Sequence, residues 1–246
     1  MTDDKIDKFR NIVKESNSIV FFGGAGVSVP SGIPDFRSAK GIYSERLNDT
    51  YSPEEMVSHD FFTRHPDLFF NFYFSKLVYS DALPNKVHQV LAKWEKEGKL
   101  KAIVTQNIDG LHQMAGSKNV MELHGSVHRN YCQSCHRFFA LEELDKTGIP
   151  KCPCGGVIKP DVVLYGEALD EDVIEKSVKA IAMADTLIVG GTSLMVYPAA
   201  GLIRYFHGKH LVVVNLGEQS GHFRDSYDYL LIQDDIAKVF AAVEEK

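Results

Sequence analysis

All four cysteines of this 246-residue chain fall between positions 132 and 154, as Cys132-x-x-Cys135 and Cys152-x-Cys154. Paired thiolates on tight turns are tetrahedral zinc donors, and the sixteen residues between Cys135 and Cys152 are a usual zinc-ribbon gap. The second pair is one residue shorter than the usual C-x-x-C, and Gly155-Gly156 just after it can supply the tight turn this needs. Residues 132–136, Cys-Gln-Ser-Cys-His, also have the form of a c-type haem attachment site. The second cysteine pair nearby, and an opening that does not read as an export signal, favour structural zinc over haem. Four thiolates leave no open coordination position, so the expected metal is structural, not catalytic. Residues 128–160 carry five basic and three acidic side chains, which is weak support for a nucleic-acid reader.

A second cluster follows the hydrophobic run Ile19-Val20-Phe21-Phe22. Gly24-Ala25-Gly26 supplies the G-x-G of a phosphate-cradling turn, but the third glycine of a dinucleotide fingerprint is replaced by Val29. No clear acidic strand end follows about 20 residues on to hold ribose hydroxyls, as a dehydrogenase requires. The chain continues instead into Ser31-Gly-Ile-Pro-Asp35-Phe36-Arg37-Ser38. Three further stretches carry polar side chains where strands are expected to end: Thr105-Gln106-Asn107-Ile108-Asp109-Gly-Leu-His112, Glu122-Leu-His124-Gly-Ser126 and Asp161-Val-Val163-Leu164-Tyr165-Gly166-Glu167. Each is individually weak, because Asn and Asp are ordinary turn formers and most strand-tip histidines are structural.

Something must bring these clusters together. Short apolar runs at 19–22, 102–104, 120–123, 162–164, 186–189 and 211–214 read as strands. Segments 87–97, 170–183, 197–206 and 235–244 space their apolar residues as helices do, and Ile6, Phe9, Ile12 and Val13 make a helical face before the first strand. This alternation predicts an α/β fold, a Rossmann-like parallel sheet with helices on both faces. Ligands in such sheets sit beyond the carboxyl ends of strands, where Gly190-Gly191-Thr192-Ser193 and Asn215-Leu216-Gly217 lie. The expected division is a Rossmann-like domain of 1–38, 86–127 and 161–246, interrupted by a helical insert at 39–85 and a zinc insert at 128–160. The helical insert holds ten of the chain's 26 aromatic residues, which predicts a small cap with its own core whose edge can wall a groove.

Net charge is −6, so a general nucleic-acid surface is not expected. Residues 1–16 are polar and amphipathic and the apolar runs are far short of a membrane span, so a cytoplasmic protein, monomeric by default, is expected.

Taken together, Gly24–Ser38, Thr105–His112, Glu122–Ser126, the four cysteines and Gly191-Thr-Ser-Leu-Met-Val-Tyr-Pro-Ala199 resemble the sirtuins, the NAD-dependent protein-lysine deacylases. The motifs follow family order from residue 23 to about 217 and so cover nearly the whole chain. The resemblance implies a Rossmann-fold domain and a small domain built from the two inserts, with an acyl-lysine peptide entering between them. It implies that Gly24, Ala25, Gly26, Ser28 and Val29 line the phosphate and ribose side of NAD, and that Asp35, Phe36 and Arg37 begin a lid over the nicotinamide ribose. Gln106, Asn107, Ile108 and Asp109 would surround the nicotinamide. Gly191, Thr192, Ser193, Asn215 and Leu216 would hold the adenosine half, with Asp235 beside them. Val163, Leu164, Tyr165 and Gly166 would pair with the peptide as a strand.

In that family the nicotinamide–ribose bond is cleaved and the acyl-lysine oxygen captures the sugar. His124 would then act as the base toward the ribose hydroxyls, with Asn107 orienting the reacting groups. The implied products are nicotinamide, free lysine and 2′-O-acetyl-ADP-ribose. Members that prefer succinyl-lysine carry Tyr-x-x-Arg in the helical insert, whereas this chain reads Tyr73-Phe-Ser-Lys76. Lysine lacks the bidentate fork for a carboxylate, so deacetylation is expected over desuccinylation. Mono-ADP-ribosyl transfer is an alternative that leaves His124 little to do after nicotinamide departs. A non-catalytic NAD- or zinc-binding module is another, and it would predict that the base or the nicotinamide-pocket residues are missing.

Overall fold

A computed structural model describes residues 3–35, 51–217 and 229–245. Phe36 and Arg37, expected to begin a lid, lie outside the described residues.

The amphipathic opening forms α1 (Asp3–Glu15), which buries Ile6, Phe9, Ile12 and Val13, the face expected from their spacing. Strand β1 (Ile19–Gly23) is buried at every position. The aromatic insert then forms α2 (Pro53–Met56), α3 (His59–Arg64) and α4 (Pro66–Lys76). Prolines at the first helical positions of α2 and α4 occupy the one place where a missing amide costs nothing. Helix α5 (Lys86–Lys96), strand β2 (Leu100–Thr105) and the short α6 (Leu111–Met114) follow. Next come β3 (Val120–Glu122), β4 (Gly125–Cys132), β5 (Phe138–Ala140) and β6 (Ile158–Val162). Helix α7 (Glu171–Met183), strands β7 (Thr186–Gly190), β8 (His210–Val214) and β9 (Tyr229–Ile232), and helix α8 (Ile236–Glu244) complete the described elements.

Six strands form one parallel sheet in the order β3-β2-β1-β7-β8-β9. The chain runs outward from β1 to β3, then returns to β1 and runs outward in the other direction. This is the doubly wound order, with its switch point between β1 and β7. Alternate residues of β1 serve opposite layers. Ile19 and Phe21 pack with α1, α5 and α8, including Trp94 and Phe240. Val20 and Phe22 pack with α7 and the segment Ala199–Tyr205, including Ile181, Leu202 and Phe206. A sheet covered on both faces needs continuous apolar strands, and β1 and β7 are such strands.

Four expectations need correction. The apolar triplet 162–164 is not a main-sheet strand. Strand β6 ends at Val162 and pairs antiparallel with β4 in a separate sheet ordered β5-β4-β6. Its sequence Ile-Lys-Pro-Asp-Val alternates buried and half-buried, the pattern of a sheet covered on one face. Segment 197–206 is a 3₁₀ helix over Ala199–Tyr205 and not an α-helix, in keeping with Pro198 at its start and Gly201 within it. Strand β9 was not anticipated. The helical insert also does not have a core of its own: Phe61, Phe62, Phe69, Phe70 and Tyr73 share one cluster with Cys132, Leu141, Cys152, Ile158 and Val162. The two inserts therefore fold as one small module.

Candidate active site and metal centre

The site assembles at the switch point, from loops that leave the carboxyl ends of β1, β2 and β7. After β1 the chain makes two short 3₁₀ turns, Ala25–Val27 and Val29–Ser31. The first lies against the tip of β7: Gly24 N–H donates to Gly190 O at 3.2 Å and Gly26 N–H to Gly191 O at 2.8 Å. A β-carbon on Gly26 would come within 2.8 Å of Gly191 Cα, and one on Gly191 (φ +61°) within 2.4 Å of Val27 N. Two backbones meet here at a distance only paired glycines permit. This accounts for the G-x-G without a third glycine, and Val29 stands 44% exposed on the outer side of the turn.

Ser28 is buried, and its hydroxyl donates to Asp109 Oδ2 at 2.6 Å while accepting from Asn107 Nδ2 at 3.0 Å. The loop after β1 and the loop after β2 are thus joined by one hydroxyl. Asp109 Oδ1 accepts from Leu111 N–H at 2.9 Å and so caps the turn into α6. Burial raises the Asp109 carboxyl above its ordinary range, against the lowering effect of Ser28, the Leu111 amide and nearby His128. Asn107 N–H is held by Thr105 Oγ1 at 3.0 Å. Gln106 reaches the β7 tip, where its Nε2 donates to Thr192 Oγ1 at 3.1 Å. Ile108 packs on the edge of the small module's core, and its carbonyl accepts from Val127 N–H.

His124 follows β3 and enters β4. Its Nδ1 lies 3.0 Å from Gln106 O. A carbonyl only accepts, so Nδ1 carries the proton and Nε2 of the neutral ring keeps its lone pair. Desolvation lowers the pKa of His124 below the ordinary histidine value, opposed by the Gln106 contact. The ring is therefore a neutral base at neutral pH.

The four cysteine Sγ atoms lie within 4.8 Å of one another, with Cys132–Cys154 at 3.4 Å and Cys135–Cys152 at 3.6 Å. A tetrahedral site with Zn–S bonds of about 2.3 Å has sulfur–sulfur edges of about 3.8 Å, so the spacing and the all-thiolate donor set fit zinc. All four are free thiols, so no disulfide competes. The short Cys152-x-Cys154 spacing is taken up as expected: Gly155 has φ +89°, and a β-carbon on Gly156 would lie 2.6 Å from Cys132 Sγ.

Residues 24–198 match the family model described as the Sir2 family. The chain belongs to the Sir2 family. An NAD-dependent protein deacetylase of Clostridium perfringens (strain 13 / Type A) is 62% identical over 244 residues, covering 98% of this chain and 99% of that protein. One of Staphylococcus aureus (strain COL) is 44% identical over 235 residues, covering 95% and 96%. A solved Sir2 bound to acetylated peptide superposes with TM-score 0.81 at 35% identity, covering 97% of this chain and 96% of that one. A Sir2–p53 peptide–NAD+ complex does so with TM-score 0.80 at 38% identity, with the same coverage.

In this Sir2 chain the remaining expected residues are placed as follows. Thr192 is buried and accepts from both Gln106 and Leu194 N–H, while Ser193 is exposed beside it. Asn215 leaves β8 with its amide on Ile232 O, and Leu216 is 71% exposed. Asp235 caps α8 through Lys238 N–H at 3.0 Å. Asp35 closes the described part of its loop. Segment Val163–Gly166 runs beside the helical insert: Tyr165 N–H donates to Val57 O at 3.0 Å, and Tyr165 O accepts from His59 N–H at 2.9 Å. Val163 N–H donates to His124 O at 3.0 Å, which joins this segment to the turn between β3 and β4.

Two contributors went unrecognised in the sequence. Asn85 caps α5, and its Nδ2 donates to Val27 O at 2.8 Å and Ser31 Oγ at 2.9 Å, fixing the loop after β1 from behind. An Asn directly before a helical pattern is a cap signal that could have flagged it. His128 Nε2 sits 3.0 Å from Asp109 O, and a β-carbon on Gly110 (φ +73°) would lie 2.7 Å from the same ring. No local signal marks His128, because the contact spans nineteen positions.

Proposed function

We propose that this protein is an NAD-dependent protein-lysine deacetylase, which passes the acetyl group of an acetyl-lysine side chain to ADP-ribose and releases nicotinamide and 2′-O-acetyl-ADP-ribose. The observation that carries this reading is the His124–Gln106 contact, which leaves Nε2 of a neutral imidazole with its lone pair and ties the ring to the loop whose Asn107 and Asp109 are joined to Ser28. NAD would supply the activated ribose C1′, which the acyl oxygen captures as the bond to nicotinamide breaks and nicotinamide leaves. Gly24, Ala25, Gly26, Ser28 and Val29 line its phosphate and ribose side, and Asp35, Phe36 and Arg37 continue from them. Gln106, Asn107, Ile108 and Asp109 form the nicotinamide pocket, in which Asn107 orients the reacting groups. Gly191, Thr192, Ser193, Asn215, Leu216 and Asp235 serve the adenosine half. His124 takes the proton from a ribose hydroxyl, and the peptide aligns on Val163–Gly166.

Cys132, Cys135, Cys152 and Cys154 hold one zinc ion, which pins the core they share with the helical insert. Its closed set of thiolates gives it a structural role. The division into a Rossmann-like domain (1–38, 86–127, 161–246) with inserts at 39–85 and 128–160 belongs to the same reading, with the shared core joining the inserts.

Acetyl over succinyl preference is part of the proposal. Tyr73 is fully buried with its ring stacked on Phe69 at 5.8 Å, and Lys76 offers a point charge in place of a guanidinium fork. We place the protein in the cytoplasm as a monomer acting on protein or peptide substrates. Among the described residues no helix is long and apolar enough to cross a membrane, and the net charge of −6 disfavours nucleic acid.

The test combines protein, NAD and acetylated peptide, and follows nicotinamide and deacetylated peptide together. Peptide-dependent release of both supports the reading. Nicotinamide release without deacetylation points to transfer onto another acceptor, no release points to a binding module, and a higher kcat/KM on succinyl peptide overturns the acyl preference.

A further inference from the structure

Glu167 follows directly on the substrate segment and is not part of the NAD site or the metal centre. Its Oε2 accepts from Leu164 N–H at 2.9 Å and from Lys159 Nζ at 3.1 Å, and its Oε1 lies 2.9 Å from His59 Nδ1. Its own N–H closes the turn onto Leu164 O at 2.9 Å. The three partners come from three places. His59 opens α3 of the helical insert, and its backbone N–H already holds Tyr165 O. Lys159 lies in β6 of the cysteine-bearing sheet, one residue after Ile158, which pairs with Cys132. It is itself fixed by Val162 O at 3.0 Å and by the face of Phe62 at 5.9 Å. Leu164 is the centre of the substrate segment.

The Lys159 and Glu167 side chains are only 13% and 21% exposed, so this is not a solvated surface pair. Burial works against the Glu167 charge, but His59, the Leu164 amide and Lys159 outweigh it and hold the carboxyl below its usual range. Glu167 is therefore ionised at neutral pH. A peptide that adds to a strand edge binds through main-chain groups, so its affinity depends on how well that strand is held in place.

We propose that Glu167 is a positioning residue for the peptide: its carboxylate ties the segment Val163–Gly166 to the helical insert and to the cysteine-bearing sheet at once, and so sets the backbone an acyl-lysine peptide pairs with. This rests on the deacetylase reading above and adds a determinant of peptide affinity that is separate from the NAD site.

The test measures peptide KM, NAD KM and direct peptide binding by titration calorimetry for wild type, Glu167→Ala, Glu167→Gln and Lys159→Met. Loss of a hydrogen bond to a charged acceptor predicts about a tenfold rise in peptide KM and Kd for Glu167→Ala, with NAD KM within about twofold. Glu167→Gln keeps an oxygen for Leu164 N–H and turns an amide toward His59, so it should recover peptide affinity to within about threefold of wild type. Lys159→Met should shift peptide KM in the same direction as Glu167→Ala. Peptide affinity unchanged in Glu167→Ala, or peptide and NAD KM rising together, overturns the proposal. If Glu167→Ala fails to fold, Lys159→Met decides alone, by whether its rise in KM is confined to the peptide. Wild-type protein that turns over no acetyl peptide overturns the deacetylase reading instead, whereas active wild type with indifferent variants overturns only the role of Glu167.

Discussion

His124 Nδ1 and the carbonyl oxygen of Gln106 lie 3.0 Å apart, although eighteen positions separate them in the chain. The contact decides the tautomer, because the carbonyl has no proton to give. It also places the His124 ring at the head of the loop that carries Asn107 and Asp109.

The first prediction concerns pH. Desolvation lowers the His124 pKa, so the ring stays neutral further into acid than an ordinary histidine. A base that must be neutral loses function as pH falls through its folded pKa. The acid limb of kcat/KM should therefore lie below the usual histidine value of about 6.5. His124→Ala should lower peptide deacetylation by at least about 100-fold, the lower bound for removing a general base. An acid limb centred above that value, present in wild type and lost in the variant, would contradict the assignment.

Ser28 is the second test. Its hydroxyl lowers the Asp109 pKa against the larger effect of burial. Ser28→Ala removes a donor from a buried carboxyl and leaves Asn107 Nδ2 without its acceptor. The Asp109 pKa should rise further, which moves any activity limb that depends on its charge to higher pH. NAD KM should rise by about tenfold for a lost charge-assisted bond. Steady-state kinetics at several pH values checks both. An NAD KM equal to wild type would show that the network does not serve the cofactor.

How far the sequence carried this site follows from the range of its contacts. Gly24-Ala25-Gly26 and Gln106–Asp109 were legible because each is a short run behind an apolar strand, and strand tips are where such folds bind ligands. His124 stood out for the same reason. The Ser28–Asp109 bond was not legible, because it joins positions 81 apart, and Gln106–Thr192 spans 86. The aromatic insert was seen as a unit, but not that Phe61, Phe62 and Phe69 share a core with Cys132 and Cys152. Composition reveals that apolar residues need a partner surface, not which one they find. Residues 162–164 misled for a related reason: a short apolar run looks the same whether a strand starts there or ends there, as β6 does at Val162.

The shared core leads to the third prediction. Cys132 and Cys152 are buried in the same cluster as Phe69, Phe70 and Tyr73, so metal loss should loosen the helical insert as well as the small sheet. Purified protein should carry about one zinc per chain, and Cys132→Ala or Cys154→Ala should abolish it. Dialysis against a chelator should raise hydrogen exchange in α3 and α4 together with β4 to β6, leaving β1, β7 and β8 protected. Equal protection of α3 and α4 with and without zinc would separate the two inserts and contradict the common core.

A buried histidine pair supplies the last prediction. His88 and His112 are almost fully buried with ring centroids 4.7 Å apart. His88 Nδ1 accepts from Asn85 N–H at 3.2 Å, within the cap that also holds Val27 O. Among the described residues His88 Nε2 and both ring nitrogens of His112 have no hydrogen-bond partner. Desolvation pushes the His88 pKa down to about 4; the same effect, with the charge of His88, pushes His112 down to about 3. Both folded values lie below the unfolded value of 6.5, so on acidification the unfolded chain binds protons first. Their contribution is complete above pH 6.5 and is lost progressively as pH falls from 6.5 toward 4, then toward 3. Thermal denaturation across this range should show Tm falling over that window. Replacing His112 with Phe, which keeps the ring packing against Phe21 without a titrating group, should flatten the dependence. A wild-type Tm constant from pH 6.5 to 4 would mean that the pair is not held neutral by burial.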